Sequence, residues 1–154
     1  MIEKIYLAGG MQNLTFREQT EWRDYIKSSL KNDYLKLEIV NPTNYYNFET
    51  VAYDSNREVK EWDLNEVRTS GLIIVYFNDP NSIGTAQELQ CANEHNIPVI
   101  GIYENQENRE LEMLGKPTIK LHPWLVESCN KIFDNRAECV DYIKKFYLDG
   151  RRLV

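Results

Sequence analysis

The sequence has no stretch approaching the ~18 consecutive apolar residues that a membrane-spanning helix needs. Its first residues, MIEKIYLAGG, do not set a basic segment ahead of a long apolar core as an export signal would. A soluble, cytoplasmic protein is expected. Basic charge is in deficit, with 18 Lys and Arg against 24 Asp and Glu and a formal net charge of −6. That balance argues against partners bound through phosphate counterion release, so neither a nucleic-acid polymer nor a membrane surface is expected and small molecules remain. Cysteine is scarce and odd in number. Cys91, Cys129 and Cys139 form no C-x-x-C pair, which suggests neither a disulfide framework nor a zinc site, and reduced thiols are expected. His95 and His122 are far apart and stand near no Cys or carboxylate at ligand spacing, so no metal is implied. Low-complexity linkers and internal repeats are lacking too, and residues 1–154 read as one domain.

What is present is an alternation of strand and helix patterns. Residues 2–7 read as a strand ending in Ala8-Gly9-Gly10, small residues that let a ligand approach the backbone. No third glycine stands at dinucleotide-binding spacing, which sets nicotinamide chemistry aside, and no cofactor is expected. Trp22, Ile26 and Leu30 make residues 15–30 an amphipathic helix with its apolar stripe in the core. Residues 35–40 form a second strand, ended by Asn41-Pro42 at the same sheet edge as Gly9 and Asn78. Residues 43–57 then make a long loop carrying Tyr45, Tyr46, Phe48 and Tyr53. These rings either stack on a planar ligand such as a nucleobase or pack on the domain itself or on a second subunit. A helix over 58–70 leads to residues 72–77 (LIIVYF), a continuous apolar run expected in a strand buried on both faces. Beyond it come a turn over 78–82, a helix, a strand over 98–103, a polar surface segment over 104–112, a short edge strand over 118–121 and a final helix opened by Asn135-x-x-Glu138. The pattern predicts an α/β fold with a parallel sheet.

Two carboxylates carry the functional reading. Gly84 permits a tight turn and Thr85 is placed to cap the following helix, which puts Glu88 in its first turn, ionised by the helix dipole and pointed at the crevice of an open α/β sheet. The competing reading makes Thr85-x-x-Glu88 a capping box with no chemistry to do. Asp63 recurs with Val59 and Val67 at i, i+4 and i+8, on the helical stripe expected to face the sheet, where a carboxylate is costly without a partner. Two carboxylates in different environments suit cleavage of a glycosidic bond, one as nucleophile and one as proton carrier or orienting group.

The segments IYLAGG, EWDLNEVRTSGLIIVYF and SIGTAQELQCANEHNIPVIGIY together resemble the nucleoside 2-deoxyribosyltransferase superfamily, which includes the deoxynucleoside 5′-monophosphate N-hydrolases. The resemblance spans residues 5–103. It implies a flavodoxin/Rossmann-like parallel sheet with helices on both faces and a site built from Tyr6, Asp63 and Glu88. In that reading Glu88 attacks the anomeric carbon to form a glycosyl-enzyme, Tyr6 holds its carboxylate and Asp63 handles the proton on the departing base. The sugar then passes to another nucleobase. Gly9, Gly10, Gln12, Asn41, Asp79, Ser82 and Gly84, with Tyr45 and Phe48 of the aromatic loop, are the candidate substrate contacts. The 5′ group divides the reading. Ser82 stands where the transferases tend to have Asp and the monophosphate hydrolases Ser, yet Gly10 and Gln12 replace the Ser and Arg with which the hydrolases hold phosphate. The alternative activity is therefore hydrolysis of nucleoside 5′-monophosphates. The resemblance also implies a homodimer or larger homo-oligomer whose neighbouring subunit completes each site, with His122 and Trp124 as candidates.

Two other classes compete. Cytokinin-releasing phosphoribohydrolases also use G-T-x-x-E, but after Pro-Gly-Gly, which NSIGTAQE lacks. A non-catalytic nucleotide-binding module would keep the aromatic loop and glycine turn without needing Asp63.

Overall fold

The computed structural model describes residues 1–45, 53–118 and 120–149. Among these, five strands form one parallel sheet: β1 (Lys4–Gly9), β2 (Glu38–Val40), β3 (Leu72–Tyr76), β4 (Val99–Ile102) and β5 (Lys131–Phe133), in the order β2-β1-β3-β4-β5. Parallel neighbours need crossovers, and the helices between them cover both faces. The expected Rossmann-like architecture is what the chain adopts.

Strand alternation divides the core in two. Ile5, Leu7, Leu72, Ile74, Ile100 and Ile102 point to one face. There they meet Trp22, Ile26 and Leu30 of α1 (Phe16–Lys31) and Cys139, Val140 and Ile143 of α6 (Arg136–Ile143). Tyr6, Ala8, Ile73, Val75 and Val99 point to the other. They meet Val67 of α2 (Asn56–Arg68) and Leu89 and Ala92 of α3 (Ile83–Glu94), with Leu125 of α5 (Pro123–Glu127) packed alongside. Residues 72–75 are fully buried, as their unbroken apolar run predicts. Helix α1 opens on a complete capping box, Thr15 with Glu18, and α2 on another, Ser55 with Glu58. No described helix is long and apolar enough to cross a membrane.

Three expectations need correction. The second strand begins at Glu38 rather than at 35, because the Lys31 amine donates to the carbonyls of Leu35 and Leu37 at 2.9 and 2.8 Å and holds that approach as a helix-end turn, with Leu35 exposed. The polar segment over 104–112 contains a helix, α4 (Gln106–Met113), whose first turn is capped by the Asn105 side chain. The described residues of 118–121 are not strand; the fifth strand is Lys131–Phe133, beyond α5. Of the long loop, Pro42–Tyr45 forms a 3-10 turn, while Tyr46 and Phe48 lie outside the described residues.

The order β2-β1-β3 reverses direction at β1, so the helices leaving β1 and β3 go to opposite faces and leave a crevice between them at the C-terminal strand ends.

Candidate active site

A cleft of about 870 Å³ occupies that crevice. Its floor includes Gly9 at the end of β1, and its walls are the turn after β1 (Met11 to Leu14), helix α2 (Val59, Lys60, Asp63) and the N-terminal half of α3 with the turn before it.

The local reading of α3 changes. Its N-cap is Ser82, whose hydroxyl accepts from the Thr85 amide at 3.3 Å and from the Thr85 hydroxyl at 2.9 Å. Thr85 is therefore already inside the helix, Thr85-x-x-Glu88 is not a capping box, and Glu88 lies in the second turn rather than the first. Glu88 shares an inward stripe with Thr85, Leu89 and Ala92, spaced i, i+3, i+4 and i+7, all buried. The expectation that the helix dipole keeps it ionised fails with the capping assignment. Burial pushes the Glu88 carboxyl up to about 8, with the Asp63 charge adding to the rise while Tyr6 and Arg23 oppose it.

Tyr6 sits in mid-strand on β1, 1% exposed, on the same sheet face as α3. Burial, followed by the charges of Glu88 and Asp63, raises its phenol well above the ordinary value. The Tyr6 hydroxyl and the Glu88 carboxyl lie within interaction range, yet among the described residues the hydroxyl makes no hydrogen bond of full geometry. Asp63 is half-buried and lines the cleft on the α2 wall. Of its predicted stripe, Val67 reaches the sheet while Val59 and Asp63 face the cleft, so the carboxylate looks at solvent-accessible space rather than at the core.

The other candidates separate. Gly9, Gln12, Asp79, Ser82 and Gly84 line the cleft. Gly10 and Asn41 do not. The Gly10 amide donates to the Asn78 side-chain oxygen at 2.9 Å, and a Cβ there would stand 2.8 Å from that of Asp79. Asn41 is buried and accepts from the Thr43 amide and hydroxyl at 3.1 and 2.6 Å, closing its own turn. Gly9 makes room for Trp22, whose ring would lie 2.7 Å from an added Cβ. Gly84 is different: a Cβ there meets nothing within 4 Å. Tyr45 belongs to the 3-10 turn and Phe48 lies outside the described residues. His122 caps α5 through the Trp124 amide, and the Trp124 side chain is 81% exposed.

Lys60 on the cleft wall escaped the sequence reading, as did the buried Arg23. Neither is marked by any motif, and the i, i+4 spacing of Asn56, Lys60 and Leu64 alongside Asp63 is the signal that could have brought out the first. No cluster of His, Cys, Asp or Glu that could hold a metal occurs among the described residues.

Among solved structures, the chain is similar to a conserved protein from Enterococcus faecalis V583, with 19% identity over 94% of this chain and 99% of that one and a TM-score of 0.74. It is also similar to a 2-deoxyribosyltransferase from Bacillus psychrosaccharolyticus, with 20% identity, 90% and 91% coverage and a TM-score of 0.63. A third likeness is to a CMP N-glycosidase from Clostridium botulinum, with 16% identity, 93% and 98% coverage and a TM-score of 0.56. These likenesses are of fold, shared with a 2-deoxyribosyltransferase and a CMP N-glycosidase. No family model and no curated protein matches the sequence. The strand order accounts for the crevice, and the chemistry rests on the side chains this chain places in it.

Proposed function

We propose that this chain cleaves the N-glycosidic bond of a (2′-deoxy)nucleoside through a glycosyl-Glu88 intermediate and transfers the sugar to another nucleobase. The observation that carries the reading is the convergence of a buried carboxyl, Glu88, a buried phenol, Tyr6, and a second carboxylate, Asp63, at one cleft. The Glu88 anion bonds to C1′ as the C1′–N bond breaks, and the departing base takes the bond's electron pair and a proton handled by Asp63. An incoming base nitrogen then bonds to C1′ as the C1′–O bond to Glu88 breaks, its N–H proton passing to Asp63, and the Glu88 carboxylate is free again. In this reading the buried Tyr6 phenol is the group that holds the Glu88 carboxylate.

A specific observation favours each 5′ end. Among the described residues no arginine lines the cleft while Asp79 does, which suits a hydroxyl. Lys60 and Ser82 line it too, and they support the second reading, hydrolysis of a nucleoside 5′-monophosphate to base and sugar phosphate. Small-molecule nucleosides or nucleotides are the partners in both. The deciding experiment incubates the protein with nucleosides and 5′-monophosphates, with and without a second free base. Base exchange supports the transferase, and base release from monophosphates alone supports the hydrolase. Tight binding with no released base leaves a non-catalytic nucleotide-binding module.

A further inference from the structure

The turn after β1, residues 11–14, is held from outside by side chains. Gln19 of α1 donates its carboxamide N–H groups to the Met11 carbonyl at 2.9 Å and the Leu14 carbonyl at 3.0 Å, and the Leu14 amide closes the turn on Met11 at 3.3 Å. Just upstream, Asn78 donates to the Gly10 carbonyl at 3.3 Å, and the buried Arg23 donates to the Gly9 and Gln19 carbonyls at 3.1 and 2.5 Å. The backbone on both sides of Gln12 and Asn13 is thereby fixed to α1 and to the turn after β3. Inside this clamp Asn13 has a φ of 62°, in the left-handed region that is costly for a residue with a Cβ. A turn that only linked β1 to α1 would do as well with glycine there. Gln12 and Asn13 are exposed at the tip and line the cleft, and among the described residues neither side chain makes a hydrogen bond.

The chemistry of this corner identifies what it takes. The 11–14 turn adjoins the turn before α3, since a Cβ on Gly10 would stand 2.8 Å from that of Asp79. Asp79 lines the cleft, with one carboxylate oxygen accepting from the Asn81 amide at 3.0 Å. Carboxamides donate and accept, and a carboxylate accepts, so the set matches a sugar hydroxyl, which does both. A phosphate offers Asp79 no proton and is repelled by it. Among the described residues the one cation lining the cleft, Lys60, belongs to the α2 wall with Asp63, which serves the base in the proposed reaction. That leaves the corner at residues 11–14 for the far end of the sugar.

We propose that residues 11–14 form a preset wall that binds the 5′-hydroxyl end of a free nucleoside through the Gln12 and Asn13 carboxamides, with Gln19 as the residue that positions it. The identity of the ligand rests on the cleft taking a nucleoside, whichever group attacks it.

The test measures binding rather than turnover. Glu88→Gln protein, isotopically labelled at nitrogen, is titrated with the 2′-deoxynucleosides of the common bases and with their 5′-monophosphates, and the side-chain amide NMR signals of Gln12 and Asn13 are followed. At least one nucleoside is expected to shift both sets of signals and to bind no more weakly than its 5′-monophosphate. Adding Asn13→Gly, which keeps the left-handed turn and removes one carboxamide, is expected to weaken nucleoside binding by about fivefold or more without lowering the unfolding midpoint. Gln19→Met is expected to weaken it by a similar factor, and Gln19→Lys, which keeps a donor for the two carbonyls, by clearly less. Nucleoside binding that leaves the Gln12 and Asn13 signals unmoved, or that survives Asn13→Gly undiminished, overturns the proposal, as does tighter binding of the monophosphate. Equal losses in Gln19→Met and Gln19→Lys, or lowered stability with unchanged affinity in Gln19→Met, overturn the positioning role. Should Gln19→Met not fold, the Asn13→Gly result decides. Binding of no probe at all overturns the nucleoside reading as well, whereas turnover of these nucleosides by wild type with the turn signals unmoved overturns the wall alone.

Discussion

Asn78 and Gly10 exchange a pair of hydrogen bonds, the Gly10 amide donating to the Asn78 side-chain oxygen at 2.9 Å and the Asn78 amide donating to the Gly10 carbonyl at 3.3 Å. The turn after β3 is thereby locked to the turn after β1, and the cleft lies beside the joint. Asn78→Ala leaves the half-buried Gly10 amide without that partner. It is expected to lower stability by about 1–3 kcal/mol, measured by denaturant unfolding, and to raise KM as the two turns lose register.

Much of this arrangement was legible in the sequence. The unbroken run 72–77 and the Trp22, Ile26, Leu30 stripe determined a largely buried strand and a one-faced helix, and with them the α/β layering. The short strand Lys131–Phe133 was not legible, because three residues give no period to read and its pairing with β4 is decided by tertiary contact. The two carboxylates singled out in the sequence, Glu88 and Asp63, both line the cleft, but the surroundings of Glu88 were misjudged for one reason. Ser82, Thr85 and Glu88 are spaced three apart, so a cap at either Ser82 or Thr85 satisfies the same pattern, and only the Ser82 hydroxyl accepting from Thr85 resolves it. Gly10 looked like a ligand contact because tight packing between two turns and close approach to a ligand ask for the same missing Cβ.

Gly84 is the glycine whose space belongs to the cleft. A helical glycine costs up to about 1 kcal/mol against alanine, and no neighbour here requires it. Gly84→Ala is therefore expected to raise the unfolding midpoint while weakening substrate binding. Unchanged KM in the stabilised variant would show that the substrate does not approach the start of α3.

The raised Glu88 carboxyl sets a pH dependence. In the unfolded chain it ionises near 4.5, while in the fold it stays protonated up to about 8. Between those values the folded state binds more protons, so the Glu88 contribution to stability is full below 4.5, falls as pH rises and levels off above about 8, a loss of the order of a few kcal/mol. Glu88→Gln should lack this decline, so that the variant overtakes wild type in stability as pH rises from 5 to 8 in parallel unfolding series.

Asp63→Asn is expected to slow the reaction in proportion to how badly the base leaves without protonation. Comparing kcat/KM across bases of graded leaving ability checks this. A uniform loss would assign Asp63 to substrate binding.

Glu88 as the nucleophile is tested most directly by quenching the protein with substrate in acid and weighing the peptide that contains residue 88. Wild type should carry the mass of the sugar, or sugar phosphate, on Glu88, and Glu88→Gln should carry none while releasing base at least about a hundredfold to a thousandfold more slowly and remaining folded. Base release by a folded Glu88→Gln at the wild-type rate would contradict the account.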